Sequence, residues 1–131
     1  MNLFILAQDI KELEVGISSG GELKEFAKIE TPPEQYLAQI DQRLKDWDVT
    51  LEQIKGIFVV TGPGSFTASR VSITIANTLA FSKQIPIYPI ENKERFSLPE
   101  LHKSISKSSI QPEKFALPSY DKQPHITVPK K

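Results

Sequence analysis

The stretch from Ile57 to Thr67, Ile-Phe-Val-Val-Thr-Gly-Pro-Gly-Ser-Phe-Thr, constrains the fold more than any other part of this chain. Its compact apolar start reads as a buried strand. Gly62-Pro63-Gly64 breaks that strand, and Ser65 can cap a following helix. The helix is predicted to run from Phe66 to about Ser82, and between Val71 and Ser82 it contains no charged residue. Val71, Ile75 and Leu79 form one apolar stripe, while Ala68, Ser72, Ala76 and Ala80 form a second stripe of small side chains. A surface helix in a chain of this size should show a charged face. Two readings follow. Both stripes are buried under the domain's own elements, or one packs on a sheet and the other meets a partner.

The rest of the chain supplies a sheet. Residues 2 to 7 are continuously apolar and read as a buried strand. Leu13, Val15 and Ile17 alternate with Glu14, Gly16 and Ser18, the period of a half-buried strand. After the turn at Ser19-Gly20-Gly21, a third strand places Leu23, Glu25, Ala27 and Ile29 on one face, with Phe26 out of pattern. Thr31-Pro32-Pro33-Glu34 reads as a capped helix start. Tyr36, Leu37, Ile40, Leu44 and Trp47 follow at helical spacing, so this helix is amphipathic. Asp48 to Ile54 suggests a short helical turn. Ile85 to Ile90 reads as a last strand whose prolines place it at an edge or a strand end.

The predicted fold class is α/β: a three-stranded antiparallel meander leading into β-α-β units, a mixed sheet flanked by helices. This order is compatible with the ribonuclease H-like half of an actin-like ATPase. The globular domain is expected to span residues 1–96. Residues 97–131 hold five prolines, six serines and six lysines against three acidic residues, and read as a mostly irregular extension with about one turn of helix from Pro99 to Ser106.

Composition narrows the function. Sixteen basic residues balance sixteen acidic ones, so the chain lacks the cationic surplus that holds nucleic acid by bulk electrostatics. There is no cysteine, which rules out disulfides and thiolate metal sites. The apolar start is too short for a signal peptide, and no apolar run reaches the roughly 20 residues that span a bilayer. A soluble cytoplasmic protein without a membrane partner is expected.

Chemistry is sparse. A glycine turn between strand and helix can bind an anion through free N–H groups, which makes Gly62, Gly64, Ser65 and Thr67 candidate ligand-binding residues. The alternative is a tight turn with Ser65 as a cap. The turn is neither a Walker A loop nor a dinucleotide fingerprint. A ribonuclease H-type nuclease needs converging carboxylates beginning on the first strand, and that strand carries none before Asp9. His102 and His125 fall in the extension and are expected to be solvated. No catalytic set, metal site or cofactor is predicted.

The segment Val60 to Val71 resembles the hallmark of the TsaB (YeaZ) family, a strand ending in Gly-Pro-Gly-Ser-Phe-Thr with an Arg soon after. Gly62, Pro63, Gly64, Ser65, Phe66, Thr67 and Arg70 carry the match. Leu79-Ala80-Phe81, Ile85-Pro86-Ile87 and Leu51 to Ile57 resemble the flanks, and Pro118-Ser119-Tyr120 with Pro124 to Thr127 resembles the end of full-length relatives. The resemblance implies a shortened member that lacks most of the second domain.

It also implies a ribonuclease H-like fold without an independent catalytic site. The implied role is an accessory subunit of the tRNA threonylcarbamoyladenosine modification complex, pairing with a TsaD-like catalytic subunit and working with a TsaE-like ATPase. Transfer RNA would be met only through the complex. Family pairing uses helices corresponding to residues 33 to 47 and 66 to 82. With the stripes above, this nominates Tyr36, Ile40, Leu44, Ala68, Ser72, Ala76 and Ala80 as the partner interface. Self-association as a homodimer by the same face is an alternative. A small nucleotide-binding or hydrolytic domain using the Gly62–Ser65 turn is another. Departures from the family pattern lie at Ala7-Gln8-Asp9, Ala68, Ser69 and Pro33-Glu34-Gln35.

Overall fold

The structure is a computed structural model and describes residues 1–105 and 110–117. Strands β1 (Asn2–Leu6), β2 (Glu12–Ser19) and β3 (Glu22–Glu30) form the expected antiparallel meander. Helix α1 (Tyr36–Asp46), strand β4 (Gly56–Gly62), helix α2 (Phe66–Lys83), strand β5 (Ile87–Glu91) and helix α3 (Leu98–Ile105) follow. The strands make one sheet in the order β3-β2-β1-β4-β5, with β4 parallel to both β1 and β5. This is the mixed α/β sheet that the sequence predicts. Of the two placements its prolines allow, β5 takes the edge.

Side-chain alternation divides the core into two layers. Leu3 and Ile5 of β1 with Ala7 just beyond it, Leu13, Val15 and Ile17 of β2, and Ile57 and Val59 of β4 point to the side covered by α1 and α2. Phe4, Leu6, Val60 and Ile90 point to the other side, where Leu98 and Leu101 of α3 meet them. Phe4, Phe58 and Tyr88 lie opposite one another on neighbouring strands, and their rings stack at 4.5 and 4.4 Å.

Two strands differ from their sequence patterns. β2 is buried on both faces, because α3 sits on its polar side. A Cβ on Gly16 would come within 2.7 Å of Leu98 Cδ2 and 3.2 Å of the Glu25 carbonyl oxygen, so a side chain there would force Leu98 to shift. In β3 a register shift opposite Ile17 and Ser18 turns Leu23 to the same side as Gly16, whereas Ala27 and Ile29 stay on the opposite side. Phe26 pairs with Gly16 and shares the face of Leu23. The bulge therefore moves Leu23 off the face of Ala27 and Ile29 and onto that of Phe26.

Local starts and stops also depart from expectation at one place. Thr31 is buried and caps nothing; α1 is entered through a 3₁₀ turn at Pro33–Gln35 that has no side-chain cap. The expected turn near Leu51 is present, with Gln53 Oε1 accepting the Thr50 N–H at 2.8 Å. The described residues beyond 96 pack on the sheet through Leu98, Leu101 and Ala116, all of them buried. His102 lies on α3 and not in open solvent. Its ring meets Phe4 edge-on at 5.3 Å, and burial lowers its pKa from the ordinary 6.5. His125, Pro118 to Tyr120 and Pro124 to Thr127 lie outside the described residues. Among the described residues no helix is long and apolar enough to cross a membrane.

The Gly16 contact is open to test. Gly16→Val should lift α3 from the sheet and lower stability by about 1–3 kcal/mol, the usual effect of overpacking. A urea midpoint equal to wild type would show that α3 does not press on β2.

Candidate functional site

The glycine turn is built around the amide of Gln8, which in the sequence stands out only within a departure from the family pattern. Gln8, just past the end of β1, is buried with 6% exposure. Its Nε2 donates to the carbonyls of Pro63 and of Asn92, the latter at 2.9 Å. Asn92, just past β5, donates from Nδ2 to Gln8 Oε1 at 2.7 Å and to the Phe96 carbonyl at 2.9 Å. Its Oδ1 accepts the Phe96 N–H at 3.1 Å, and its own N–H donates to the Gly62 carbonyl at 2.8 Å. The pair thus ties together the C-terminal ends of the three parallel strands β1, β4 and β5. Both amides have partners for donors and acceptors, which a buried polar network requires. Gln8 lies two residues past β1 and Asn92 directly follows β5, positions at strand ends from which the sequence could have drawn them.

This pair determines what the turn can do. Ser65 N–H donates to the Gln8 carbonyl at 2.7 Å, and Ser65 Oγ accepts the Ala68 N–H at 3.1 Å, so Ser65 is the helix cap. A Cβ on Gly64 would stand 2.6 Å from the Gln8 carbonyl oxygen. Gly62, Gly64 and Ser65 therefore close onto Gln8, and Thr67 is exposed on the first turn of α2. The inner side of the turn is occupied by the Gln8 backbone.

Beside the pair lies a cleft of about 210 Å³ with Asp9, Glu12, Glu14, Lys28 and Arg95 on its walls. Glu14 is buried and accepts the Leu98 N–H at 2.8 Å, anchoring the start of α3. Loss of water raises its pKa above the ordinary 4.5 despite that hydrogen bond.

The nominated interface residues are placed differently from the expectation. Tyr36, Ile40, Leu44, Ala68, Ser72, Ala76 and Ala80 are all buried in the chain's own core, none more than 4% exposed. The small stripe of α2 is the one that faces the sheet, because small side chains let the helix backbone approach closely. Val71, Ile75 and Leu79 are partly buried along its flank. The outward face is a third one: Phe66, Thr67, Arg70, Thr74, Thr78 and Phe81. Phe66 is 52% and Phe81 84% exposed. The Arg70 guanidinium stands over the Phe66 ring at 4.9 Å, and a groove of about 360 Å³ runs between these residues and Val71 and Ile75.

The hallmark turn is thus a strand-to-helix junction on a ribonuclease H-like sheet. The family model described as "TsaD: tRNA N6-adenosine threonylcarbamoyltransferase" matches residues 33–102, more than half of the chain. The TsaB protein of Haemophilus influenzae is 35% identical over 96 residues, covering 70% of this chain and 40% of that protein. The TsaB protein of Bacillus subtilis is 41% identical over 51 residues, covering 39% and 22%. The chain belongs to the TsaB (YeaZ) family. The YeaZ structure from Pseudomonas aeruginosa superposes with a TM-score of 0.62 at 22% identity, over 70% of this chain and 43% of that one, which shows the shared fold. Similarity extends to the tRNA N6-adenosine threonylcarbamoyltransferase of Geobacter sulfurreducens, 33% identical over 78 residues, covering 57% of this chain and 22% of that protein. This TsaB-family chain spans less than half the length of the relatives it matches.

Two outcomes test the site's construction. Gly64→Ala should push Gln8 away and destabilise the fold by about 1–3 kcal/mol, read as a lower Tm. The pH dependence of Glu14 has a definite sign. Its folded pKa is raised, so the stability it contributes is fully present below the ordinary value and is lost as pH rises through the raised one. Glu14→Gln keeps the acceptor for Leu98 and should remove that part of the decline, giving a higher urea midpoint than wild type at pH 8. A lower midpoint at pH 8 would mean that the carboxylate charge itself holds α3.

Proposed function

We propose that this chain acts in tRNA threonylcarbamoyladenosine biosynthesis as a non-catalytic scaffold, binding a TsaD-like catalytic subunit through the outward face of α2. The names of its relatives supply the pathway. The observation that carries the reading is the character of that face. Along Phe66–Lys83 the only charged side chains are Arg70 and Lys83, and two phenylalanine rings stand in solvent. Burying an exposed phenylalanine fully is worth on the order of 1.5–3 kcal/mol, and exposed aromatic anchors are what interfaces concentrate. In this reading a TsaE-like ATPase and tRNA are met through the complex. The commitment of Gln8 and Asn92 to holding strand ends supports a structural use of the turn over a catalytic one.

Purification with the TsaD protein of the same genome tests this. The two should co-elute on size exclusion at micromolar concentration. Phe81→Glu should weaken the pairing at least tenfold with an unchanged circular dichroism spectrum, because the Phe81 side chain is 84% exposed. Ala76→Glu is expected to unfold the chain instead, since it would bury an unpaired charge beneath α2. Independent elution of the two wild-type proteins would remove the proposed pairing, and elution of this chain as its own dimer would assign the face to self-association.

A further inference from the structure

The outer edge of β5 is not bare. Glu113 N–H donates to the Ile87 carbonyl at 2.7 Å, and Ile87 N–H returns to the Glu113 carbonyl at 3.4 Å, one antiparallel bridge on the side away from β4. Three residues on, Ala116 is held at both backbone atoms by one side chain. Its N–H donates to Asn77 Oδ1 at 2.7 Å, and its carbonyl accepts from Asn77 Nδ2 at 3.1 Å. The Ala116 methyl is 2% exposed and belongs to the core layer under α1 and α2, whereas Ile110 packs against the layer under α3. Residues 110–117 therefore cross the sheet edge from one face to the other.

We infer that the β5 edge and Asn77 form a binding site for an extended peptide, which this chain fills with its own residues 110–117. Every polar contact named above goes to peptide backbone, the way strands are recognised when added to a sheet edge. N–H groups alternate sides along a strand, so Pro89 lies on the same outer side as Ile87 and has no hydrogen to offer. Pairing stops after one bridge, and Asn77 of α2 takes over as the second anchor. Selectivity lies in the small buried pocket of Ala116. Phe115 and Leu117 beside it are 59% and 68% exposed, so a competing segment needs a small apolar residue at one position and an extended backbone. An edge held by so few bonds is open to such a segment from another chain.

The test uses the full chain carrying Ala116→Glu, which cannot seat its own segment because a charge would be buried. The fluorescent probe is a peptide with the sequence of residues 110–117. The variant should bind it saturably, at least tenfold more tightly than the wild-type chain, whose site is occupied. Adding Asn77→Ala should weaken that binding at least tenfold. A folded Ala116→Glu chain that does not bind the peptide, or binding indifferent to Asn77→Ala, overturns the inference. Should Ala116→Glu fail to fold, hydrogen exchange on the full chain with Asn77→Ala decides. The Glu113 amide, which does not touch Asn77, should exchange at least tenfold faster while the β1 and β4 amides keep their rates. An unchanged Glu113 rate would equally overturn it.

Discussion

The seat of α2 on the sheet governs what the rest of the molecule can offer. Ala68, Ser72, Ala76 and Ala80 present almost no side-chain bulk, so the helix backbone comes close to β4 and all four residues vanish from solvent. Close seating turns a different face outward, the one with Phe66, Arg70, Thr74 and Phe81. Larger side chains in the stripe would overpack this contact and lift the helix off the sheet.

The seat has a fixed end. Ser65 caps the helix and also donates its N–H to the Gln8 carbonyl, while Gln8 and Asn92 bind the ends of β1, β4 and β5 to one another. Position and direction of α2 therefore follow from hydrogen bonds at one end of the sheet. The same network fills the space inside the glycine turn. The turn launches α2 from these bonds, and the side chains given over to them are uncharged amides.

Legibility followed the range of the interactions. The succession of strands and helices and the α2 start rest on local signals, apolar runs and a Gly-Pro-Gly break with Ser65, and the prolines near β5, which lack a donor, narrowed that strand to an edge or a strand end. The hallmark residues gave the family for the same reason, being contiguous. The sidedness of α2 was not legible, because two uncharged stripes look alike until the sheet is placed beside one of them. Gln8 and Asn92 are far apart in sequence and meet only through the parallel strand order. Phe26 and Gly16 make sense only with the bulge and with α3, which covers a strand face that reads as half-polar. Ala116 lies in a segment whose composition suggests irregular chain, and its burial depends on Asn77 from another element.

In the function proposed above, the outward face of α2 is the docking surface. Hydroxyl-radical footprinting, with and without the TsaD protein of the same genome, tests it most directly, because it reads side-chain exposure ring by ring. Phe66 and Phe81 should lose most of their labelling in the mixture, while Phe26 and Phe115, exposed elsewhere on the chain, keep theirs. Equal labelling of Phe66 and Phe81 in the free and mixed samples, under conditions where the two proteins co-elute, would contradict the account.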